Sequence, residues 1–266
     1  MKLTIGMAAF QNEIEVWFTL QALRLYQDVK NVELLVVDNG GTDNMARTVI
    51  DCRARYERFT DVVGTAVPRN KVFEWAAGDF VLCIDSHVML APRAITQLKW
   101  WLESHWEDAR NLIHGPWLKS GMDGVTTHYL PVWRGQQWGI WGPIEAHEAI
   151  PTEPFEIDMM ALGLMGCRKD SWLGFHPECK SFGGVEGLLD AKYRHAGRKS
   201  LCLPFLKWMH CFIETPDRVK YPSSMADKTR NYELGFDELG MLEEKENARK
   251  HLTTGEVIES AWPESA

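Results

Sequence analysis

The sequence predicts an α/β fold whose central sheet is mostly parallel and flanked by helices. Over roughly the first hundred residues, short apolar runs alternate with segments of helical period, as in a sheet threaded by crossover helices. Two of those runs, Val32–Val37 and Phe80–Ile84, are almost unbroken rather than alternating, which suits strands covered on both faces. The length of 266 residues supplies a core large enough to need no disulfide or metal staple.

The elements follow in order. Leu3–Met7 reads as a first strand and Glu15–Tyr26 as a helix with Val16, Leu20 and Leu23 on its apolar face. After the run ending at Asp38, Gly40-Gly41-Thr42-Asp43 reads as a turn with an N-cap at Thr42 or Asp43. The next helix carries Met45, Val49, Cys52, Tyr56 and Phe59 at near-helical spacing. Asp61–Thr65 reads as a short strand, Asn70–Ala77 as a helix stopped by Gly78, and Arg93 to about Trp106 as a helix after Pro92. Residues 115–154, rich in Gly, Pro, Trp and Gln, show no sustained period and read as a long loop with a hairpin; long loops in compact domains are usually functional. Order returns at Phe155–Cys167. A helix is expected from Val185 to Ala196, strand segments at Ser200–Leu203 and Leu206–Phe212, a charged helix over Lys228–His251, and disorder from about Thr253.

Composition narrows the function classes. A net charge of −8 argues against a broad nucleic-acid footprint, which needs clustered cations, though Lys119, Arg134, Arg194, Arg198 and Lys199 leave room for a local groove. The six Cys show no metal-type spacing. With no signal-peptide pattern at Met1–Gly6 and no 18-residue apolar run, the expectation is a cytoplasmic protein that does not engage a membrane. Seven of the 12 Trp lie between residues 100 and 141; such rings pack cores and also stack on sugars or bases.

Ligands of parallel α/β sheets bind beyond the carboxyl ends of the strands, where Asp38 and Asp85 both stand. In Ile84-Asp85-Ser86-His87, extended backbone would aim Asp85 and His87 to one side and turn Ser86 away. A carboxylate and an imidazole suit a divalent metal; polar residues after a strand also simply cap turns. His210, in an apolar strand-like stretch, is a core residue or a third ligand. His114, His128 and His147 lie beside the Trp-rich segment, within reach of a second substrate.

The order of motifs resembles family-2-type glycosyltransferases of GT-A fold, and among them the polypeptide N-acetylgalactosaminyltransferases. The matching residues are Phe10-Gln11-Asn12-Glu13, Val36 to Asp43, Ala76-Ala77-Gly78-Asp79-Phe80, Asp85-Ser86-His87, Met160 to Leu164, and Phe182-Gly183-Gly184-Val185-Glu186, which has one residue more than the family's Trp-Gly-Gly-Glu. The likeness covers about residues 3–90 and 158–215 and leaves 115–155 unmatched. It implies a UDP-sugar donor, with Asp38 on the uracil or ribose, Ala8, Ala9 and Phe10 beside the nucleotide, and Glu13 nearby. It further implies Asp85, His87 and His210 around Mn²⁺ (or Mg²⁺). Arg69 would contact the donor's phosphates or sugar, or is an exposed ion-pairing residue. Residues 1–110 would then bind the donor, 111–227 would bind the acceptor and complete the metal site, and 228–266 would form a helical tail.

The resemblance favours retention of anomeric configuration. An inverting enzyme needs a carboxylate base, for which Glu186 is the first candidate and Asp190 the second; Glu186 could equally just favour a helix N-terminus. The acceptor is open among a small molecule, a glycan, a protein and a hydroxymethylated base in DNA. The last is similar to phage DNA-modifying glycosyltransferases, and would have Trp133, Trp138 and Trp141 stack on a flipped base. A nucleotidyltransferase would want a Gly-rich loop with a cation, which Gly6-Met7-Ala8-Ala9-Phe10 lacks. A non-catalytic nucleotide-sugar-binding module would have no reason to keep Asp85, His87 and His210 together.

Overall fold

The computed structural model describes residues 1–119, 121, 123–211 and 219–260. The first half runs β1 (Leu3–Ala9), α1 (Glu13–Tyr26), β2 (Val32–Asp38), α2 (Asp43–Asp51), β3 (Arg55–Arg58), α3 (Ala66–Trp75), β4 (Phe80–Asp85), β5 (Val88–Leu90), α4 (Ala94–Ser104) and β6 (Leu112–His114). The second half adds β7 (Trp117–Leu118), β8 (Val125–Thr126), β9 (Tyr129–Arg134), β10 (Gln137–Trp141), β11 (Phe155–Ile157), β12 (Leu164–Arg168), α5 (Leu188–His195), β13 (Ser200–Cys202), β14 (Trp208–His210), α6 (Met225–Leu239), α7 (Leu242–Thr254) and β15 (Ile258–Glu259).

One sheet of eight strands, ordered β11-β13-β6-β12-β4-β1-β2-β3, forms the centre. The pairs β1–β2, β1–β4, β2–β3 and β6–β13 are parallel, while β12 is inserted antiparallel between β4 and β6. The unbroken apolar strands occupy its middle, with Ile5, Met7, Leu35, Val36, Val81 and Leu82 fully buried, as two-sided helical cover demands. A second sheet, β5-β14-β7-β8, and a third, β10-β9-β15, stand beside it. No helix among the described residues is long and apolar enough to cross a membrane.

Five sequence expectations are corrected. The strand expected at Asp61–Thr65 is instead β3 at Arg55–Arg58, paired with β2, and Gly64 makes only an isolated bridge to Ser181. Helix α2 ends at Asp51 because Arg53 takes a φ of 52° and turns the chain back, so the helical spacing of Tyr56 and Phe59 is accidental. Helix α5 starts at Leu188, since Gly183, Gly184 and Gly187 all have positive φ. The tail is two helices broken at Gly240 (φ 68°), and in place of the disorder expected from about Thr253 the described residues through 260 form β15, which pairs with β9, while 261–266 lie outside the described residues. The last expected strand is observed over Trp208–His210, and Phe212 lies outside the described residues.

Candidate active site

Strand β1 sits between β2 and β4 in a register that opposes Ala9 to Asp38 and Ala8 to Asp85, so both carboxylates stand on one rim. Asp85 is gripped from two sides. Arg69 on α3 donates Nη2 to its Oδ1 at 2.5 Å, and His210 Nε2 lies 3.3 Å from its Oδ2. Burial pushes the Asp85 carboxyl up, but Arg69 and the hydrogen bond from His210 outweigh it and hold the group well below the usual carboxylate range. Arg69 is 8% exposed and also donates to the Thr65 carbonyl, so it is a buried partner of Asp85 and not a surface residue.

Ser86 and His87 form a two-residue turn that carries the chain from the central sheet into β5. The backbone there is not extended, and Ser86 faces the cavity that the sequence reading had it avoid. Antiparallel pairing of β14 with β5 sets His210 opposite Val88, and the Cys211 amide donates to the His87 carbonyl at 2.7 Å. The two imidazoles therefore stack, with centroids 4.9 Å apart. One ligand atom each from Asp85, His87 and His210 lie within 4.8 Å of one another. One carboxylate and two imidazoles, clustered at a cavity wall with room beside them, fit a divalent cation of the Mn²⁺ type. Gly163 makes this closeness achievable: its carbonyl accepts from the Asp85 amide, and a Cβ on it would lie 2.7 Å from His210 Nε2.

The cavity in front of these residues measures about 410 Å³, within the range of small-molecule sites. Ala8 and Phe10 at the end of β1, with Arg69, Asp85 and His87, form its floor. Tyr221 stacks on Phe10 at 4.5 Å, and its buried hydroxyl has no hydrogen-bond partner among the described residues. Lys220 and Lys228 add positive charge to the wall. Asp38 does not line the cavity. It is fully buried, its Oδ1 accepts from the Gly40 and Gly41 amides, and its Oδ2 accepts from Tyr56. Glu13 accepts from the Thr42 hydroxyl, the same hydroxyl that caps α2 by accepting from the Met45 amide.

The two base candidates are engaged elsewhere. Glu186 Oε2 accepts from the Gly184 and Val185 amides and from Tyr232, which fastens the glycine loop to α6. Asp190 is 1% exposed and holds His114 at 3.0 Å and Ser200 at 2.7 Å, in the core. Neither lines the cavity.

The sequence pattern described as "Glycosyl transferase family 2" matches residues 4–168, well over half of the chain. This chain belongs to that family. A protein of Haemophilus influenzae, described as an uncharacterized glycosyltransferase, is 29% identical over 141 residues, which are 47% of this chain and 55% of that protein. The chain thus spans about half the length of the curated relative it matches. Among solved structures it is similar to GalNAc-T7 with UDP, GalNAc and Mn²⁺, with a TM-score of 0.69 at 14% identity over 89% of this chain and 48% of that one. It is also similar to S. aureus TarS residues 1–349 in complex with UDP-GlcNAc, with a TM-score of 0.63 at 17% identity over 96% and 73%. A third is the mannosyltransferase PcManGT of Pyrobaculum calidifontis with GDP-Man and Mn²⁺, at 0.58 and 13% over 95% and 70%. These likenesses establish the GT-A fold.

In this family 2 member the Trp-rich segment is largely structural. Trp133 and Trp138 are fully buried and cannot stack on a base, and Trp141 is packed between Trp117 and Tyr129. His114 is fully buried as well. Of the cations considered for a groove, Arg194 pairs with Glu156 and Asp158, and Lys199 with Glu156. Sequence reading missed Asn12, Tyr221 and Lys228. Asn12 donates to the Val219 carbonyl and so anchors the segment that brings Tyr221 in; only its place in Phe10-Gln11-Asn12-Glu13 gave a signal. Tyr221 and Lys228 sit outside any motif.

Proposed function

We propose that this family 2 glycosyltransferase moves a hexosyl or N-acetylhexosaminyl group from a UDP-sugar to a hydroxyl acceptor, with a divalent cation and with retention. The observation that carries the reading is the meeting of Asp85, His87 and His210 at the wall of a nucleotide-sized cavity. These three side chains would hold Mn²⁺ or Mg²⁺. Bound there, the cation supplies positive charge to a departing diphosphate.

The rest of the work falls to the chain. Arg69 keeps Asp85 ionised and its guanidinium at the cavity floor. Lys220 and Lys228 attract the diphosphate. Phe10 and Tyr221 offer aromatic faces to the base, beside the Ala8 backbone. Asp38 and Glu13 act one step back, by shaping the Gly40-Gly41-Thr42 loop beside the nucleotide. Retention is supported because Asp85 is the one carboxylate among the described residues lining the cavity, while Glu186 and Asp190 are spent on structure.

UDP release from a panel of UDP-sugars, with Mn²⁺ or with chelator, tests this directly. One donor should be turned over with Mn²⁺ and not with chelator, and Asp85→Ala should lower the rate about a hundredfold or more, given that metal assistance is worth several kcal/mol. Equal rates in the variant, or indifference to chelator, would remove the metal reading. An acceptor screen spanning sugars, glycans, proteins and hydroxymethylated DNA, with NMR of the product anomer, then assigns acceptor and stereochemistry.

A further inference from the structure

Helix α1 carries apolar residues on both of its faces. Val16, Leu20 and Leu23 are buried in the core, as a surface helix requires. The opposite face of such a helix is ordinarily polar. Here Ile14, Trp17 and Leu25, at i, i+3 and i+11, share the outer face and are 78%, 51% and 73% exposed. Tyr26 at the end of α1 and Ile50 on α2, which packs beside α1, are also more than half exposed. Gln21 and Arg24 fasten the end of α2 to the same helix, by donating to the Cys52 sulfur and carbonyl. Aromatic side chains of about 150–250 Å² leave about 100 Å² each in water at Trp17 and Tyr26. With Ile14, Leu25 and Ile50 added, the surface reaches the few hundred Å² that mark an interaction site.

The charges around this surface say what covers it. A helix that lies on a membrane lines its polar side with Lys and Arg. Helix α1 has one Arg, two Glu and no Lys, and the chain's net charge of −8 repels anionic lipid. The ends of the α1–α2 layer differ in sign. Glu13 and Asp43 stand where both helices begin. Arg24, Lys30 and Arg53 stand where they end, with Asp51, while Asp28 there is already held by Lys99 at 3.0 Å. Asp43 and Arg53 are exposed, and neither forms an ion pair among the described residues. A two-fold axis across α1 sets the helix antiparallel to its copy and brings the acidic end of each onto the basic end of the other. A stable dimer needs about 800 Å² per partner, apolar at the centre and polar at the rim. The outer face of α1 supplies that centre, and the helix ends supply the rim.

We infer that the outer face of α1, with the exposed ends of α2, is the surface on which two copies of this chain pair about a two-fold axis, α1 antiparallel to α1. The pairing goes beyond the donor and metal readings and does not depend on them.

Analytical ultracentrifugation of the full chain from about 1 to 100 µM tests it, since interfaces of this size associate at about micromolar concentration or tighter. The unaltered chain should sediment with twice the mass of one chain. Trp17→Glu and Leu25→Glu should weaken pairing by about a hundredfold or more, because a lost apolar anchor is costly and each substitution enters the interface twice. Circular dichroism of both should match the unaltered chain, as the side chains replaced lie in water. Asp43→Arg and Arg53→Asp should each weaken pairing, and the double variant should recover it. An unaltered chain that stays monomeric at the highest concentration overturns the inference. So do folded Trp17→Glu and Leu25→Glu variants that dissociate within twofold of the unaltered chain. Should either glutamate variant fold poorly, an unchanged dissociation constant in Leu25→Ser does the same. A double charge variant no tighter than its parents overturns the antiparallel arrangement. A monomer that co-sediments with phosphatidylcholine vesicles, and loses this in Leu25→Glu, assigns the face to lipid instead.

Discussion

At the scale of single residues the site is a balance of opposed charges at short range. Breaking a buried ion pair by removing one member costs about 3–5 kcal/mol, because the other charge stays behind uncompensated. Arg69→Leu should therefore lower the melting temperature of the chelated protein markedly. Mn²⁺ should then raise it by more than it raises that of the unaltered chain, since the cation replaces the lost charge. A thermal shift assay with and without Mn²⁺ reads both effects. Tyr56 offers a second residue-scale prediction. Burial, then its bond to Asp38, pushes the phenol up to about 12. A raised folded value contributes stability that is whole below the unfolded value near 10 and fades as pH rises through the folded one. Alkaline melting curves should thus show an added loss between about pH 10 and 12 that Tyr56→Phe removes.

At the scale of elements the site depends on strands from different sheets approaching closely. Asp85 closes β4 in the central sheet, while His210 belongs to β14 in the second sheet, and β5 bridges them by pairing with β14. Gly163, just before β12, lies where the two sheets meet. A methyl at this position would come within 2.6 Å of the Trp208 ring and 2.7 Å of His210 Nε2. Overpacking of this kind costs about 1–3 kcal/mol. Gly163→Ala should lower stability by that order. It should also weaken Mn²⁺ binding, because His210 must yield; calorimetric titration would show a raised dissociation constant in a protein whose circular dichroism is unchanged.

At the scale of the whole molecule the C-terminal elements brace the middle of the chain. Glu244 on α7 is 3% exposed and accepts from Trp133 Nε1 and from Ser260, and Ser260 accepts from Trp138 Nε1. Tyr232 on α6 receives the Trp138 amide and donates to Glu186 beside the glycine loop. The β9–β10 hairpin is therefore held from α6, α7 and β15 together. Glu244→Ala leaves the buried Trp133 indole without its acceptor, a loss of about 1–3 kcal/mol. Melting temperature should fall by several degrees, and tryptophan emission should shift to the red as the hairpin loosens; unchanged emission and melting would show that the brace is idle.

The sequence alone determined the layered α/β fold, since unbroken apolar strands between amphipathic helices have few other ways to bury themselves. It also carried the rim position of Asp38 and Asp85, because strand ends are local signals. It could not separate Tyr56 in a strand from Tyr56 in a helix, where a short segment satisfies either period and only pairing with β2 decides. Nor could it tell that Trp133 and Trp138 are core or that Glu186 and Asp190 are structural anchors, because those roles are set by partners far along the chain: Glu244, Ser260, Tyr232 and His114. Glu15 is the sharpest case. In the sequence it is an ordinary acidic residue of a first helical turn, and only packing of α1 against the Asp85-Ser86-His87 turn sets it beside a histidine. Local patterns record what a residue does for its own element, whereas a site is made of contacts between elements, which tertiary packing alone supplies.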